Sequence, residues 1–110
     1  MKSIYISLPI SGHEKDYEQR LNAAVEYVKA NYPEYNRIIT PKELAENLDD
    51  YYSLGYGTMP SYKDYLLNDI EKIVHCDAIF MCRLWSQSHG CQAEYAFAQA
   101  IGIEILWQPL

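Results

Sequence analysis

Two carboxylate side chains occupy positions where an amphipathic helix normally carries apolar residues. The first is Glu94, in the stretch SHGCQAEYAFAQAIG, which predicts a helix over residues 90–101. The apolar stripe of that helix is expected to contain Ala93, Phe97, Ala100 and Ile101. Glu94 lies beside Ala93 and about one turn before Phe97, which places it on the same face. A carboxylate above an apolar floor and near a helix N-terminus is a candidate nucleophile; the alternative is a surface glutamate at the edge of the stripe.

Asp69 repeats this anomaly on a helix predicted over residues 61–76. The apolar stripe of this helix is expected to contain Tyr62, Tyr65, Leu66, Ile70, Ile73 and Val74. Asp69 falls between Leu66 and Ile73 on that stripe. Because burying an unpaired carboxylate costs free energy, Asp69 is either a functional acid or one partner of a hydrogen bond that ties the helix to a loop.

Tyr5 and Asp77 are two further candidates, each with a structural alternative. Tyr5 lies in the middle of a predicted strand, where its hydroxyl is able to reach a carboxylate at the carboxyl edge of the sheet. The alternative is a core tyrosine with a satisfied hydroxyl. Asp77 begins a strand, where aspartate is unfavourable, so it either contributes to a site or caps the start of the strand.

Two short Ser–Gly turns are candidate binding loops. Ser88 and Gly90 precede a helix, and Ser11 and Gly12 follow the first strand. Such turns present hydroxyl and backbone N–H groups to a phosphate or a sugar, although every helix also needs a cap. The histidines and cysteines have no spacing typical of a metal site, so we expect no metal ion and no organic cofactor.

The elements that must position these residues alternate between strands and helices. Strands are predicted at 2–8, 37–40, 77–82 and 103–108, and helices at 13–32, after Thr40, at 61–76 and at 90–101. This order predicts a doubly wound α/β domain, flavodoxin- or Rossmann-like, with a mainly parallel sheet of about four strands and helices on both faces. Ligands bind at the carboxyl ends of such strands, where the loops 8–13, after Thr40 and 83–90 are expected to meet.

Bulk composition limits the classes of function. The 110 residues, 49% of them hydrophobic, fit a single domain over residues 1–110. A formal net charge of −6 argues against unaided binding to nucleic acid or to an anionic membrane. The 3 cysteines form no disulfide framework, and neither a signal peptide nor a membrane-spanning apolar run is seen, so we expect a cytoplasmic protein. The tyrosine-rich residues 49–60 predict a long loop that closes over a site or meets another subunit.

The order of these motifs resembles the nucleoside 2-deoxyribosyltransferase-like superfamily, which includes the 2′-deoxynucleoside 5′-phosphate N-hydrolases. The similarity covers nearly the whole chain, from IYIS through NDIEKIVHCDAIF to SHGCQAEYAFAQAIG. The resemblance implies that Glu94 is the nucleophile, that Tyr5 holds it, and that Asp69 binds the sugar or transfers a proton. It also implies that Asp77 lies close to the site. In the hydrolase branch, it implies that Ser88 and the loop after the first strand contact a 5′-phosphate.

The activity implied by this resemblance is cleavage or transfer of the N-glycosidic bond of a 2′-deoxynucleoside or its 5′-monophosphate, through a glycosyl ester. The resemblance also implies a homodimer or a larger homo-oligomer. Because the transferases continue beyond the segment that matches LWQPL, the hydrolase branch is favoured as an expectation. Two alternatives stay open: a module that binds a nucleotide or sugar phosphate without turnover, and an assembly component that uses Tyr51, Tyr52 and Tyr56.

Overall fold

The computed structural model describes residues 2–10 and 12–110, which build one sheet with helices on both faces. The strands are β1 (Lys2–Ser7), β2 (Tyr35–Ile39), β3 (Ala78–Met81) and β4 (Glu104–Trp107). The helices are α1 (Tyr17–Asn31), α2 (Pro41–Tyr56), α3 (Tyr62–Ile73) and α4 (His89–Ile101), with short 3-10 turns at Glu14–Asp16 and Trp85–Gln87. All neighbouring strands are parallel, in the order β2-β1-β3-β4. The predicted doubly wound α/β fold is confirmed.

The alternation of side chains along β1 divides the core into two layers. On one face, β1 and β3 pack against α1 through Ile4, Ile6, Leu21, Ala24, Val28 and Phe80. On the other face, they pack against α2, α3 and α4 through Tyr5, Leu44, Ile73, Ile79, Met81 and Ala98. The chain therefore moves from β1 to β2 over one face and reaches β3 and β4 over the other, so its connections diverge between β1 and β3. In open α/β sheets this divergence creates the crevice in which ligands bind.

Hydroxyl side chains cap the three helices of the second layer at the positions that the sequence predicts. Thr40, Ser61 and Ser88 each accept a hydrogen bond from the backbone N–H three residues later, at 3.2–3.4 Å. Asp64 completes a capping box, because its carboxylate accepts a bond from the Ser61 backbone N–H at 2.8 Å. Each such cap contributes about 1 kcal/mol. The caps also fix where α3 and α4 begin, and therefore which of their side chains face the sheet.

The prediction of a loop at residues 49–60 is wrong for most of that segment. Helix α2 continues to Tyr56 and ends where Gly57 adopts a left-handed conformation with φ of 67°. A single internal glycine, Gly55, costs a helix only about 1 kcal/mol, which neighbouring side-chain contacts offset. Those contacts are edge-on and tilted ring pairs, with centroids 5.3–6.1 Å apart, among Tyr51, Tyr52 and Tyr56. Even this helix has 16 residues, and no helix within the described residues is both long and apolar enough to cross a bilayer.

Candidate active site

The carboxyl group of Glu94 lies at the carboxyl edge of the sheet, held by two hydroxyl groups from β1. The Tyr5 hydroxyl donates a hydrogen bond to Oε2 at 2.8 Å, and Ser7 Oγ donates to Oε1 at 2.7 Å. Tyr5 and Ser7 project from the same face because they are two residues apart on one strand. Both are fully buried, and Glu94 is only 5% exposed. One donor on each oxygen therefore fixes the orientation of this carboxyl group.

The buried face of α4 is centred on Glu94 rather than beside it. Cys91, Glu94 and Ala98 are buried, whereas Ala100 and Ile101, which the sequence places inside, are exposed. The error has a simple cause: alanines occur on every side of this helix, so they do not define its buried face. On α3, the predicted inward positions Tyr62 and Val74 are likewise exposed, at 59% and 46%. They lie at the two ends of the helix, beyond the part that packs on the sheet.

Asp69 of α3 brings a second carboxyl group to the same place. Burial raises the pKa of Asp69 to about 6, while interactions with Tyr5 and Glu94 oppose the rise. Burial is also the main reason that the pKa of Glu94 rises to about 8, and the charge of Asp69 adds to it. The hydroxyls of Ser7 and Tyr5 act in the other direction, because they stabilise the ionised form. Two carboxyl groups this close retain one proton between them near neutral pH.

The other ionisable groups on this floor remain neutral. Burial, followed by the charge of Glu94, raises the pKa of Tyr5 well above its usual value, so its phenol stays protonated and available as a donor. Burial likewise raises the pKa of the Cys91 thiol. Cys91, Cys76 and Cys82 all lie within the described residues and are buried free thiols. A neutral thiol is a poor nucleophile, so the carboxyl pair is the candidate reactive group on the floor.

A cavity of about 630 Å³ opens above the two carboxyl groups. Its size suits a ligand of a few hundred daltons. The loop after β1, the start of α2, the inner side of α3 and the start of α4 all contribute to its wall. The lining residues are Tyr5, Leu8, Ile10, Pro41, Ala45, Tyr62, Tyr65, Leu66, Asp69, Gln87, Ser88, His89, Gly90, Cys91 and Glu94. The predicted meeting of three loops at this edge is confirmed.

Ser88 and Gly90, predicted as binding residues, line the mouth of the cavity. The Ser88 side chain is already used as a cap, because it accepts a hydrogen bond from the Cys91 backbone N–H at 3.2 Å. Gly90 allows α3 and α4 to approach, since a Cβ at this position would lie 3.2 Å from the Tyr62 hydroxyl. Both residues therefore lie at the opening, and a side chain at position 90 would require the exposed Tyr62 hydroxyl to shift slightly.

Three other predicted site residues are not brought to this cavity. Asp77 lies at the opposite, amino edge of the sheet, where its Oδ2 accepts a hydrogen bond from the Ser3 backbone N–H at 2.8 Å. It caps the start of β3, so its predicted place in the site is corrected. Gly12 is exposed and donates its N–H to Glu14 Oε1 at 3.1 Å. Ser11 lies outside the described residues.

Sequence reasoning missed Ser7, which is as close to Glu94 as Tyr5 is. A signal for it exists in the period-two alternation of β1. If Tyr5 faces a carboxylate, the residue two positions later faces the same layer. A serine at a strand position buried on both sides also needs a partner for its hydroxyl.

No group of three or more His, Cys, Asp or Glu side chains within residues 2–10 and 12–110 is arranged to hold a metal ion. The chemistry available from the described side chains is that of a clamped carboxylate, a neighbouring carboxylic acid and two hydroxyl donors. This set is suited to nucleophilic attack and proton transfer.

Comparison with known proteins supports the fold. A solved structure, described as a 2-desoxiribosyltransferase from Leishmania mexicana, has a TM-score of 0.62 and 20% sequence identity to this chain. The alignment covers 97% of this chain but only 63% of that one, and at this identity it shows a shared fold alone. None of the curated proteins compared with the chain matches it. The family described as Domain of unknown function (DUF4406) matches residues 2–107. The chain therefore belongs to the DUF4406 family.

Proposed function

We propose that this protein cleaves or transfers the N-glycosidic bond of a 2′-deoxynucleoside or its 5′-monophosphate, with Glu94 as the nucleophile. The observation that carries the proposal is the buried Glu94 carboxyl group, with one hydroxyl on each oxygen, beneath a cavity of about 630 Å³. The sequence motifs and the fold shared with a 2-desoxiribosyltransferase support the choice of substrate class.

The reaction has two steps at the anomeric carbon. First, a Glu94 oxygen forms a bond to C1′ while the C1′–N bond breaks, and its electron pair leaves with the base. The sugar passes through a cation-like transition state, which the negative charge of Glu94 stabilises. Then the oxygen of water, or a nitrogen of a second base, attacks C1′ and the ester bond returns its electron pair to Glu94. Water as the acceptor gives hydrolysis, and a base gives transfer.

The carboxyl pair supplies the proton that the leaving base requires. With one proton shared by Glu94 and Asp69, attack by Glu94 requires the proton to reside on Asp69. The Ser7 hydroxyl favours that arrangement, because it stabilises the ionised form of Glu94, whereas the Tyr5 hydroxyl stabilises both carboxylates. Asp69 then protonates the base as the C1′–N bond breaks, and it accepts a proton from the incoming water in the second step.

The direct test replaces the nucleophile. We expect Glu94→Gln to lower the rate of base release from deoxynucleosides and deoxynucleotides by about 10³-fold or more, because the amide does not form the ester. The matched control is Glu71→Gln, on the exposed side of α3, which should keep the wild-type rate. Free base is measured by chromatography. Equal rates for Glu94→Gln and wild type, or no base release by wild type from any member of the panel, would contradict the proposal.

A second candidate function is binding without turnover, and one observation favours it. A pKa of about 8 keeps Glu94 protonated at neutral pH, and a protonated carboxyl group is a hydrogen-bond donor rather than a nucleophile. A nucleoside or nucleotide would then raise the melting temperature of the wild-type protein, because it binds the folded state, while no base is released. Release of base that depends on Glu94 excludes this candidate.

A further inference from the structure

The described side chains that line the cavity carry an uneven distribution of charge. Its acidic residues are Asp69 and Glu94 on the floor, and the part of the lining that the structure describes contains no lysine or arginine. With one shared proton, the pair keeps a negative charge at neutral pH. A ligand group that carries a further negative charge is therefore repelled inside a cavity where water screens poorly.

The cations that lie nearest this edge of the sheet are engaged elsewhere. Arg20 donates hydrogen bonds to the carbonyl oxygens of Pro9 and Arg83, both at 3.3 Å. Arg83 donates through Nε to the carbonyl oxygen of Pro109 at 2.5 Å. These bonds hold the two guanidinium groups against the backbone. Each guanidinium therefore has part of its donor set engaged outside the cavity lining.

Lys42, at the start of α2, pairs with Glu18. The start of α4 is also partly occupied: Ser88 Oγ accepts from the backbone N–H of Cys91 at 3.2 Å, and the Ser88 carbonyl accepts from that of Gln92 at 2.9 Å. Lys42 and the Cys91 backbone N–H are therefore already paired.

The walls above the floor suit a flat, uncharged group. Helices α2 and α3 contribute Pro41, Ala45, Tyr65 and Leu66, which present aliphatic and aromatic surface. A nucleobase buries its faces favourably against such side chains, and its edges find hydrogen-bond partners at Gln87 near the mouth. The cavity therefore combines an apolar wall for a base with an anionic floor for a developing cation.

We propose that the site selects the unphosphorylated 2′-deoxynucleoside and discriminates against its 5′-monophosphate. A 5′-phosphate carries a charge of about −1.5 to −2 at neutral pH and would approach the carboxyl pair with no lysine or arginine in the described lining to balance it. This inference rests on the proposed function for the sugar and base, and it adds the charge of the substrate.

The test measures binding and turnover separately. Titration calorimetry on Glu94→Gln, which cannot turn over, is performed with the common deoxynucleosides and their 5′-monophosphates. For the base that binds best, we expect the nucleoside to bind at least about tenfold more tightly than its monophosphate. Wild-type base release should show the same order in kcat/KM.

Two lysine substitutions, one inside the cavity and one outside it, give a second test of the discrimination. Leu66→Lys places a cation in the wall and should reduce the discrimination by about tenfold, because the added charge offsets the carboxyl pair. Leu67→Lys, on the next residue and 66% exposed, adds the same charge outside the cavity and should leave the discrimination unchanged. Circular dichroism checks that both variants fold.

The outcomes separate this inference from the proposed function. Monophosphates that bind as tightly as nucleosides, and are cleaved, overturn the selectivity and leave the glycosidic chemistry standing. Nucleosides that bind selectively without base release support the selectivity and contradict the chemistry. Absence of binding by every member of the panel overturns both.

Discussion

A serine at each end of strand β1 contacts an acidic side chain: Ser7 at the carboxyl end and Ser3 at the amino end. The two contacts differ in the donor group and in their surroundings. At the carboxyl end, Ser7 donates to Glu94 at 2.7 Å, and both residues are buried. At the amino end, Asp77 accepts a backbone hydrogen bond from Ser3 at 2.8 Å, in contact with solvent. The hydrogen bonds are alike in length, so length does not decide what they do. What differs is the surrounding medium: water screens one acid, while apolar side chains surround the other.

This comparison teaches that burial, rather than the hydrogen bond itself, perturbs the acid and makes it a candidate for function. The pKa of Glu94 is raised to about 8, mainly by burial, with the neighbouring Asp69 as the second cause. At the amino end, a hydrogen bond from the Ser3 backbone N–H to Asp77 closes the start of a strand. Perturbed acids in a cleft are candidates for function because a structural contact alone does not require them.

The largest expected difference is between the two aspartates. Asp69→Asn should lower the rate of base release by about 10³-fold, because the amide cannot protonate the leaving base. Asp77→Asn, the same change at the other edge of the sheet, should stay within about twofold of wild type, since it alters only an exposed contact. Steady-state rates measured on both variants check this. Equal losses would contradict the functional distinction between the two edges.

A smaller effect is expected in the dependence of stability on pH. The folded-state pKa of Glu94 lies above its usual value of 4.5, at about 8, so the folded protein binds more protons than the unfolded chain between these values. Stability should therefore fall as pH rises through this window, by about 4–5 kcal/mol. The pKa of Asp69, raised to about 6, acts in the same direction over the lower part of the window.

Urea unfolding at pH 5 and at pH 8 measures this change. Glu94→Gln should show a flatter dependence than wild type, whereas Ser3→Ala should retain the wild-type slope. A wild-type stability that rises between these two pH values would show that the buried acid is not the source.

The smallest expected effect separates the two serines. Ser7→Ala removes one donor from Glu94, so kcat/KM should fall by about tenfold and the acidic limb of its pH profile should move to higher pH. The direction follows because the lost hydrogen bond stabilised the ionised form. Ser3→Ala, four residues earlier on the same face, should leave both the rate and the profile unchanged. A reduced rate with an unmoved acidic limb would indicate that Ser7 acts only through packing.

The sequence was sufficient to predict the fold because its local signals agree with one another. Alternating strands and helices, with capping residues at Thr40, Ser61 and Ser88, define the order of the elements without any long-range information. The helix α2 was predicted too short because tyrosine and glycine are frequent in loops. Here three tyrosine rings pack on one another along the last turns of the helix.

The candidate site was only partly predictable, because burial is a property of the whole fold. Glu94 and Asp69 were identifiable as acids on apolar stripes, and their convergence required the placement of α3 and α4 on one face of the sheet. Ser7 was missed because the alternation of β1 identifies only the face on which it lies, and the placement of α4 decides which side chain it meets there. Asp77 was misplaced because its position near the site came from the resemblance, although the predicted parallel order already puts the start of β3 at the amino edge of the sheet.

Gly90 and the Tyr62 hydroxyl lie close together at the mouth of the cavity, whereas the carboxyl groups of Asp69 and Glu94 lie on its floor. In the proposed reaction the reacting groups come from β1 and from the middle of α3 and α4, whereas Tyr62 and His89 at the beginnings of those helices line the mouth. Substitutions at these two exposed positions are expected to change which ligands enter while leaving the carboxyl pair in place.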